Sequence, residues 1–533
     1  LDRKAIIGRF VVPSEAATKI GHHEVSRSDN PTLVYRPVID SYEIWNGTSW
    51  ADRKEVLAWG AAHQLVMSIK QTGAQAQEKW IMFNDVEDVS SYDDISCLHL
   101  LSSRPEYSQE TDVEHLIFGR IRGDIVHITV SPKNATHSYK KRFLTYGLKL
   151  DNTDLSDDAD PVLAAHFDNG SIALYHTTTQ KEEVEPFTWL RPDGALRNKY
   201  SKLLSPSLVA VSTGDIKESL CISKVTPSGI SPYRTISIDS LDSDFKALTR
   251  KANIGAIEPL NAHPLAGPPG EVFLAAWDDY TVRLHDLRSQ KPYEVAYKDI
   301  TDLNPIYSLH TFGHNHFLAG AGGDAVVKIF DMRMCNTYSY LNAQVPTGAE
   351  PQTNKSTSNG KGPTNKSPTS HPYTQKDFSI FLSNPAPLPQ TQPNNTNPRR
   401  RRRLPYRGPI YTMSTPSPTS PTIYTGIVDG IVRLDLASTD DLTGPRKAWY
   451  EDNLGLGLNT GPGPSPDVTR DAIDLAGYER PDMKGVGATS VTSKLRNQRA
   501  FWKISSSYDE EDGDGWDLRW EPLAVAGAWR RRD

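Results

Sequence analysis

Two stretches of this chain run in the same order. Val272 to Arg288 reads VFLAAWDDYTVRLHDLR, and Phe317 to Arg333 reads FLAGAGGDAVVKIFDMR. Each is an apolar run, a polar turn, a second run alternating apolar and polar residues, and then Asp-x-Arg. A repeat constrains the fold more than composition does, because each copy is one supersecondary unit that must bury its apolar faces against its neighbours. Anchoring on the turn and asking for apolar residues beyond it finds Asp279 with Val282 and Leu284, and Asp324 with Val327 and Ile329. Asp429 with Val432 and Leu434, Asn169 with Ile172 and Leu174, and Gly123 with Val126 and Ile128 follow the same rule. His63 with Val66 is a weaker copy, since Ser68 takes the second apolar place. LVAVSTGDIKESLCI, Leu208 to Ile222, fills the gap between Asn169 and Asp279 and turns at Gly214-Asp215. A step of about 45 residues separates Gly123 from Asn169 and Asp279 from Asp324, and removing a polar insert of about 60 residues restores it between Asp324 and Asp429.

Period two means strands, and Gly, Asn or Asp at the turn favours a tight hairpin because these residues tolerate positive φ. Short apolar stretches precede several turns: IYSL from Ile306, IYTM from Ile410 and ISCLHL from Ile95. The unit is therefore a three- or four-stranded antiparallel sheet present in about seven copies. A single such sheet cannot cover both faces, whereas a ring of them can. The expected class is all-β: a seven-bladed propeller-like ring with a disordered insert and a C-terminal tail.

Composition fits this and narrows the setting. The chain has 533 residues, of which 37% are hydrophobic and 23% charged, enough for a large core. A net charge of −6 gives no overall drive toward nucleic acid or membrane. The cysteines are Cys97, Cys221 and Cys335, with no Cys-x-x-Cys pair, so no disulfide framework is expected and cytoplasm or nucleus is the expected location. No apolar run is long enough to span a bilayer, so no membrane partner is expected. LDRKAIIGRFVV at the start lacks the form of a signal peptide, and a first residue other than Met leads to the expectation of a missing upstream segment.

The repeat resembles the WD repeat of β-propellers. VRLHDLR and VKIFDMR stand where that family has its Trp-Asp, with His285 and Phe330 in place of the Trp, and the family's Gly-His pair before the first strand is absent. Residues 31–437 carry the resemblance and are expected to form the propeller, with the insert at about 341–405. Residues 1–30 form a separate N-terminal segment, and 438–533 a linker and an acidic, Trp-containing tail. Taken with NPTLVYRPVIDSYEIWNGTSWADRKEVLAWGAAHQLVMSI and GWDLRW, the chain resembles fungal F-box/WD-repeat proteins. That resemblance implies a substrate-receptor subunit of an SCF-type cullin-RING ubiquitin ligase. No F-box is visible, and residues 1–30 are expected to continue one that lies upstream.

Outside the repeats, PTGAEPQTNKSTSNGKGPTNKSPTSHP and NPAPLPQTQPNNTNP lack the apolar residues to offset chain entropy. Between them DFSIFL, Asp377 to Leu382, alternates and is expected to be an outer strand of the sixth blade. The insert ends in Arg399, Arg400, Arg401, Arg402 and Arg403, either a nuclear import or acidic-partner signal or a solvated charge run. In the tail, YDEEDGDGWDLRWEPL approaches the spacing of a calcium loop. Glu510 at the first ligand position and Pro522 directly after Glu521 argue against one. The segment reads instead as an acidic tail with aromatic anchors that docks on the propeller or on a partner.

No phosphate loop, zinc-protease or serine-hydrolase motif occurs, and no catalytic, cofactor or metal residue is assigned. Gly322 and Gly323 lead into a strand and read as turn residues. Asp279, Asp324 and Asp429 are expected to hold their turns by hydrogen bonds. Asp286-x-Arg288 and Asp331-x-Arg333 resemble the Trp-Asp-x-Arg ending of propellers that serve cullin-4 ligases. That makes Arg288 and Arg333 partner-binding candidates and a cullin-4 type receptor an alternative. A second alternative is a nuclear scaffold in RNA processing or chromatin, with nucleic acid held by the arginine loop. A third, an enzyme working in the central channel, requires carboxylates or histidines clustered on the inner strands. The chain is expected to act as a monomer within a complex, binding a ligase adaptor and a substrate protein.

Overall fold

The computed structural model describes most of residues 37–333 and 409–438, with short gaps, and isolated strands at 5–11, 378–381, 471–474 and 495–497. These strands form seven antiparallel-based sheets in chain order, the seven blades of a β-propeller. Blade 1 runs from its inner strand Val38–Trp45 through Arg53–Ala61 and Gln64–Gln71 to Gln77–Phe83. Blade 2 is Ile95–Leu100, Glu114–Arg120, Ile125–Ser131 and Thr136–Phe143, with Glu183–Val184 added in parallel at its edge. Blade 3 is Leu150–Leu155, Val162–Phe167, Ile172–His176 and Thr188–Leu190, and blade 4 is Tyr200–Ser205, Leu208–Ser212, Leu220–Thr226 and Gly229–Ile236. Blade 5 is Ile254–Pro259, Val272–Trp277, Thr281–Asp286 and Val295–Lys298. Blade 6 is Ile306–Phe312, His316–Ala321, Val326–Asp331 and Phe378–Phe381, with Leu495–Asn497 at its outer edge. DFSIFL thus supplies the expected outer strand of the sixth blade.

Blade 7 is built from both ends of the chain. Its inner strands are Thr412–Ser414, Thr422–Ile427 and Gly430–Ser438, and its next strand is Ala5–Val11, paired from Ala5 with Ser438 to Val11 with Val432. Asp471–Asp474 pairs on the far side of that strand. The ring is therefore closed through Ala5–Val11, a strand within the segment that the sequence reading set apart from the propeller.

Each turn found by the repeat falls between the second and third strands of a blade. The backbone there takes positive φ at Gly123 (+104°), Gly170 (+82°) and Gly214 (+75°). Blade 5 places Tyr280 at φ +65° in the same role. Asn169 holds its turn by accepting from the Ser171 N–H (2.9 Å) and hydroxyl (2.6 Å).

The core lies between blades, since each sheet buries its faces against the next. Ala58, Met67, Leu98, Phe118 and Ile128 pack between blades 1 and 2, and Leu274, Tyr297, Phe317 and Phe330 between blades 5 and 6. The seam between blades 7 and 1 adds charge to its apolar contacts. Glu55 pairs with Arg53 and accepts from the Tyr424 hydroxyl of blade 7, while Glu43 pairs with Arg53 and accepts from Ser417. Burial opposes the Glu55 carboxylate, but Arg433 and Arg53 outweigh it and hold its pKa below the usual range.

Candidate functional site

The seven inner strands enclose a central channel of about 1140 Å³. One residue on each inner strand sits opposite the middle of its second strand: Asp40 faces Ala58, His99 Ile117, Asp154 Ala164 and Lys202 Ala210. Glu258 faces Leu274, His310 Leu318 and Ser414 Tyr424 in blades 5 to 7. These seven equivalent positions form a polar ring; Lys202 reaches back to Asp154, and the other six reach forward to the next blade. Asp40 accepts from the Leu100 N–H (2.7 Å), and Asp154 accepts from the Leu203 N–H (2.6 Å) and Lys202 Nζ (2.8 Å). Glu258 accepts from the Thr311 N–H at 3.3 Å. His99 Nε2 meets Thr153 Oγ1 at 2.8 Å, and His310 Nε2 meets Thr415 Oγ1 at 2.9 Å. Ser414 closes the circuit through Asp40 (3.4 Å) and Ser41 (2.8 Å) of blade 1.

Electrostatics divides this ring. Burial opposes the charge on Lys202, but Asp154, with Tyr200 and Glu258 beyond it, outweighs burial and holds the ammonium above the usual lysine range. Burial pushes Glu258 up to about 7 against the pull of Lys202, and Asp154 adds to the rise. Desolvation lowers His310 to about 4, with Lys202 adding to the effect, so it is neutral where its Nδ1 lies 3.5 Å from Glu258. The carboxylates and histidines required for a channel site are thus clustered around Lys202, although no metal-ligating group of three is formed among the described residues. Sequence reasoning missed the ring because its members share a position and not a residue type.

The Asp-x-Arg candidates lie at the ends of the third strands of blades 5 and 6, on the face opposite the hairpin turns. Both adopt one geometry. Asp286 accepts from the Arg288 N–H (2.9 Å), Nε (2.9 Å) and Nη2 (2.8 Å), and Asp331 accepts from the same atoms of Arg333 at 3.0, 2.9 and 2.6 Å. The arginine side chains remain 45% and 56% exposed. Arg234 of blade 4 pins the blade 5 turn by donating to the carbonyls of Asp286, Leu287 and Lys291. The guanidinium contact holds both aspartates below the usual carboxylate range.

Asp279 is buried in its turn, where Arg283 donates to both carboxylate oxygens (2.9 and 2.6 Å) and the Thr281 N–H to one (3.3 Å). Asp324, Asp429 and the run Arg399 to Arg403 lie outside the described residues. His166 is buried and held by Ser201 (3.2 Å) and the Asn198 carbonyl (3.3 Å). The Cys97 thiol, on the inner strand of blade 2, is pushed up to about 12 by burial. A thiol so protonated is a poor nucleophile.

Fold and faces together define a seven-bladed β-propeller, an architecture that serves as a protein-interaction scaffold. Compared with known proteins, the chain matches no family model and no curated protein.

Proposed function

We propose that the chain is a non-catalytic platform that holds a substrate protein for a cullin-RING ubiquitin ligase. The observation that carries this reading is the matched pair Asp286–Arg288 and Asp331–Arg333, with one geometry, on adjacent blades of one face. Each aspartate holds an arginine whose side chain stays about half exposed, and the recurrence of that presentation on one face favours a role in recognition. Arginine is enriched where interfaces hold most of their energy. The rigid ring would bring bound substrate to the ubiquitin-loading machinery by proximity, raising effective concentration without chemistry of its own.

Attachment takes one of two forms within this reading. The resemblance to F-box/WD-repeat proteins supports an SCF-type link, and the Asp-x-Arg face supports direct contact with a cullin-4 adaptor. A cytoplasmic or nuclear location belongs to the same proposal. The test is co-purification with the tagged chain and with its R288D/R333K variant, which keeps a cation beside the buried Asp331. Skp-type adaptor and cullin-1 recovered with both support the first form. A cullin-4 adaptor recovered with the wild type and lost with the variant supports the second. Recovery of RNA-processing or chromatin proteins with no ligase component overturns the reading in favour of a scaffold.

One observation favours a ligand or catalytic site in the channel instead: Glu258 beside Lys202 and His310, with its pKa raised to about 7. Against it, the ring side chains are already engaged in holding neighbouring blades together.

A further inference from the structure

Tyr146 lies in the left-handed region with φ +56°, and Gly147 follows at +78°. The Leu148 N–H donates to the Thr145 carbonyl at 3.2 Å, closing a two-residue turn between the outer strand of blade 2 and the inner strand of blade 3. Gly or Asn takes the first position of such a turn readily, whereas an aromatic residue there is strained. Burial does not offset this, because Tyr146 is 65% exposed.

Its surroundings share that face. The Tyr146 ring centroid lies 6.3 Å from that of Trp189, which packs 5.8 Å from Phe167. Tyr92, 49% exposed, accepts through its carbonyl from the Arg122 N–H in the blade 2 hairpin, and Lys149 does the same from Asp168 in the blade 3 hairpin. Lys149 Nζ sits 4.4 Å over the Tyr92 ring, and the Arg191 guanidinium lies 5.9 Å from the Trp189 ring. Neither cation has a carboxylate partner among the described residues. The surface therefore offers exposed aromatic rings and two uncompensated positive charges, away from the face of Arg288 and Arg333.

We propose that this surface receives residues 508–523 of the same chain, YDEEDGDGWDLRWEPL, which lie outside the described residues. Charge complementarity selects this occupant. Asp509, Glu510, Glu511, Asp512, Asp514, Asp517 and Glu521 stand against Arg519 alone, and Trp516 and Trp520 bring rings of their own. Carboxylates meet Lys149 and Arg191, while an indole packs beside Tyr146 and Trp189. The tether is long enough. Leu495–Asn497 is paired on blade 6, and the chain from Asn497 to Trp516 spans up to roughly 60 Å when extended. A propeller of this size is on the order of 50 Å across. Tethering also raises the effective concentration of the segment at the surface.

The test uses the full chain with p-benzoylphenylalanine in place of Tyr146, which keeps an aromatic side chain at an exposed position. On irradiation, cross-links are expected to map to residues 508–523 of the same molecule, with a yield independent of protein concentration. K149E/R191E, whose fold is checked by circular dichroism, is expected to lower that yield at least tenfold, and W516A/W520A to do the same with all charges intact. Cross-links to other segments, to a second copy or to co-purified nucleic acid overturn the proposal. So does the absence of cross-links, the outcome expected if the acidic stretch pairs instead with Arg399 to Arg403.

Discussion

Trp277 donates its indole N–H to Nε2 of His285 at 3.2 Å, and the other ring nitrogen of His285 lies 2.7 Å from the Pro292 carbonyl. Only the tautomer with its proton on Nδ1 satisfies both contacts. His285 stacks on Phe273, its cross-strand partner, with centroids 5.1 Å apart and planes at 19°. Phe330 stacks on Phe317 in the next blade at 4.9 Å and 12°. Both blades thus stack two flat rings across the same strand pair, one with a polar ring and one without. His285→Phe keeps the stack but leaves the Trp277 N–H and Pro292 carbonyl without this partner, an expected cost of about 1–3 kcal/mol. Urea denaturation measures it, and a variant as stable as the wild type would show that the two polar contacts contribute nothing.

Acid should weaken the ring. Burial lowers His127 and His285 to about 3 and His310 to about 4, so below pH 6.5 the unfolded chain takes up protons that the folded chain refuses. Their contribution is present above pH 6.5 and is lost as pH falls toward these values. Glu258 runs the other way: with its pKa raised to about 7, its contribution is complete below its unfolded value of 4.5 and is lost as pH rises through 7. Three groups oppose one between pH 4.5 and 6.5, so stability should fall on acidification, by about 1.4 kcal/mol per pH unit for each net proton. Thermal melts at pH 7.5, 6 and 5 read the slope.

The same arithmetic singles out Glu258. Glu258→Gln should raise the melting temperature at pH 7.5, where the wild-type carboxylate is ionised against its environment. The variant should make little difference at pH 4.5, where the wild-type side chain is already neutral. A variant that melts lower than the wild type at pH 7.5 would mean that attraction to Lys202 outweighs desolvation.

The buried turn of Asp279 and the exposed arginines Arg288 and Arg333 should respond differently to substitution. Asp279→Asn leaves the buried Arg283 guanidinium without its carboxylate, a loss expected to cost about 3–5 kcal/mol. R288D/R333K removes the exposed guanidinium forks but keeps a cation beside the buried Asp331, so it should leave the denaturation midpoint nearly unchanged while abolishing any partner held by that face. Chemical denaturation of both variants, alongside co-purification, separates turn-holding from recognition.

The seam between blades 7 and 1 should be sensitive to Glu55→Ala, which leaves Arg53 and Arg433 without that buried carboxylate. A loss of about 3–5 kcal/mol is expected. Removing residues 1–11 should likewise lower the melting temperature, because the edge of Gly430–Ser438 loses its pairing strand. A truncated chain that melts with the wild type would show that side-chain contacts at the seam suffice for closure.

Much of this architecture was legible because hairpins are local. The turns at Gly123, Asn169 and Asp279 declare themselves through φ-tolerant residues flanked by period-two alternation, and each lies between paired strands. The polar ring was not legible. Asp40, His99, Lys202 and Ser414 share no chemistry, and nothing in an alternating run says which strand lies innermost. The strand Ala5–Val11 was missed for a related reason, since its partner lies at the other end of the repeat array. Tyr146 escaped notice because a Tyr-Gly pair lacks the Asn-Gly signature of the turn it makes.

That distant pairing has a consequence for synthesis. Ala5 leaves the ribosome long before Ser438, its partner, is made. At 5–20 residues per second the interval is about 20–90 seconds. Throughout it the first strand lacks its partner, and by its end the blades already made stand in an open arc. The nascent chain therefore passes through a state in which a second chain's first strand competes for the same vacancy. Exchange of that strand between neighbouring nascent chains would place the first strand of one molecule in the seventh blade of another.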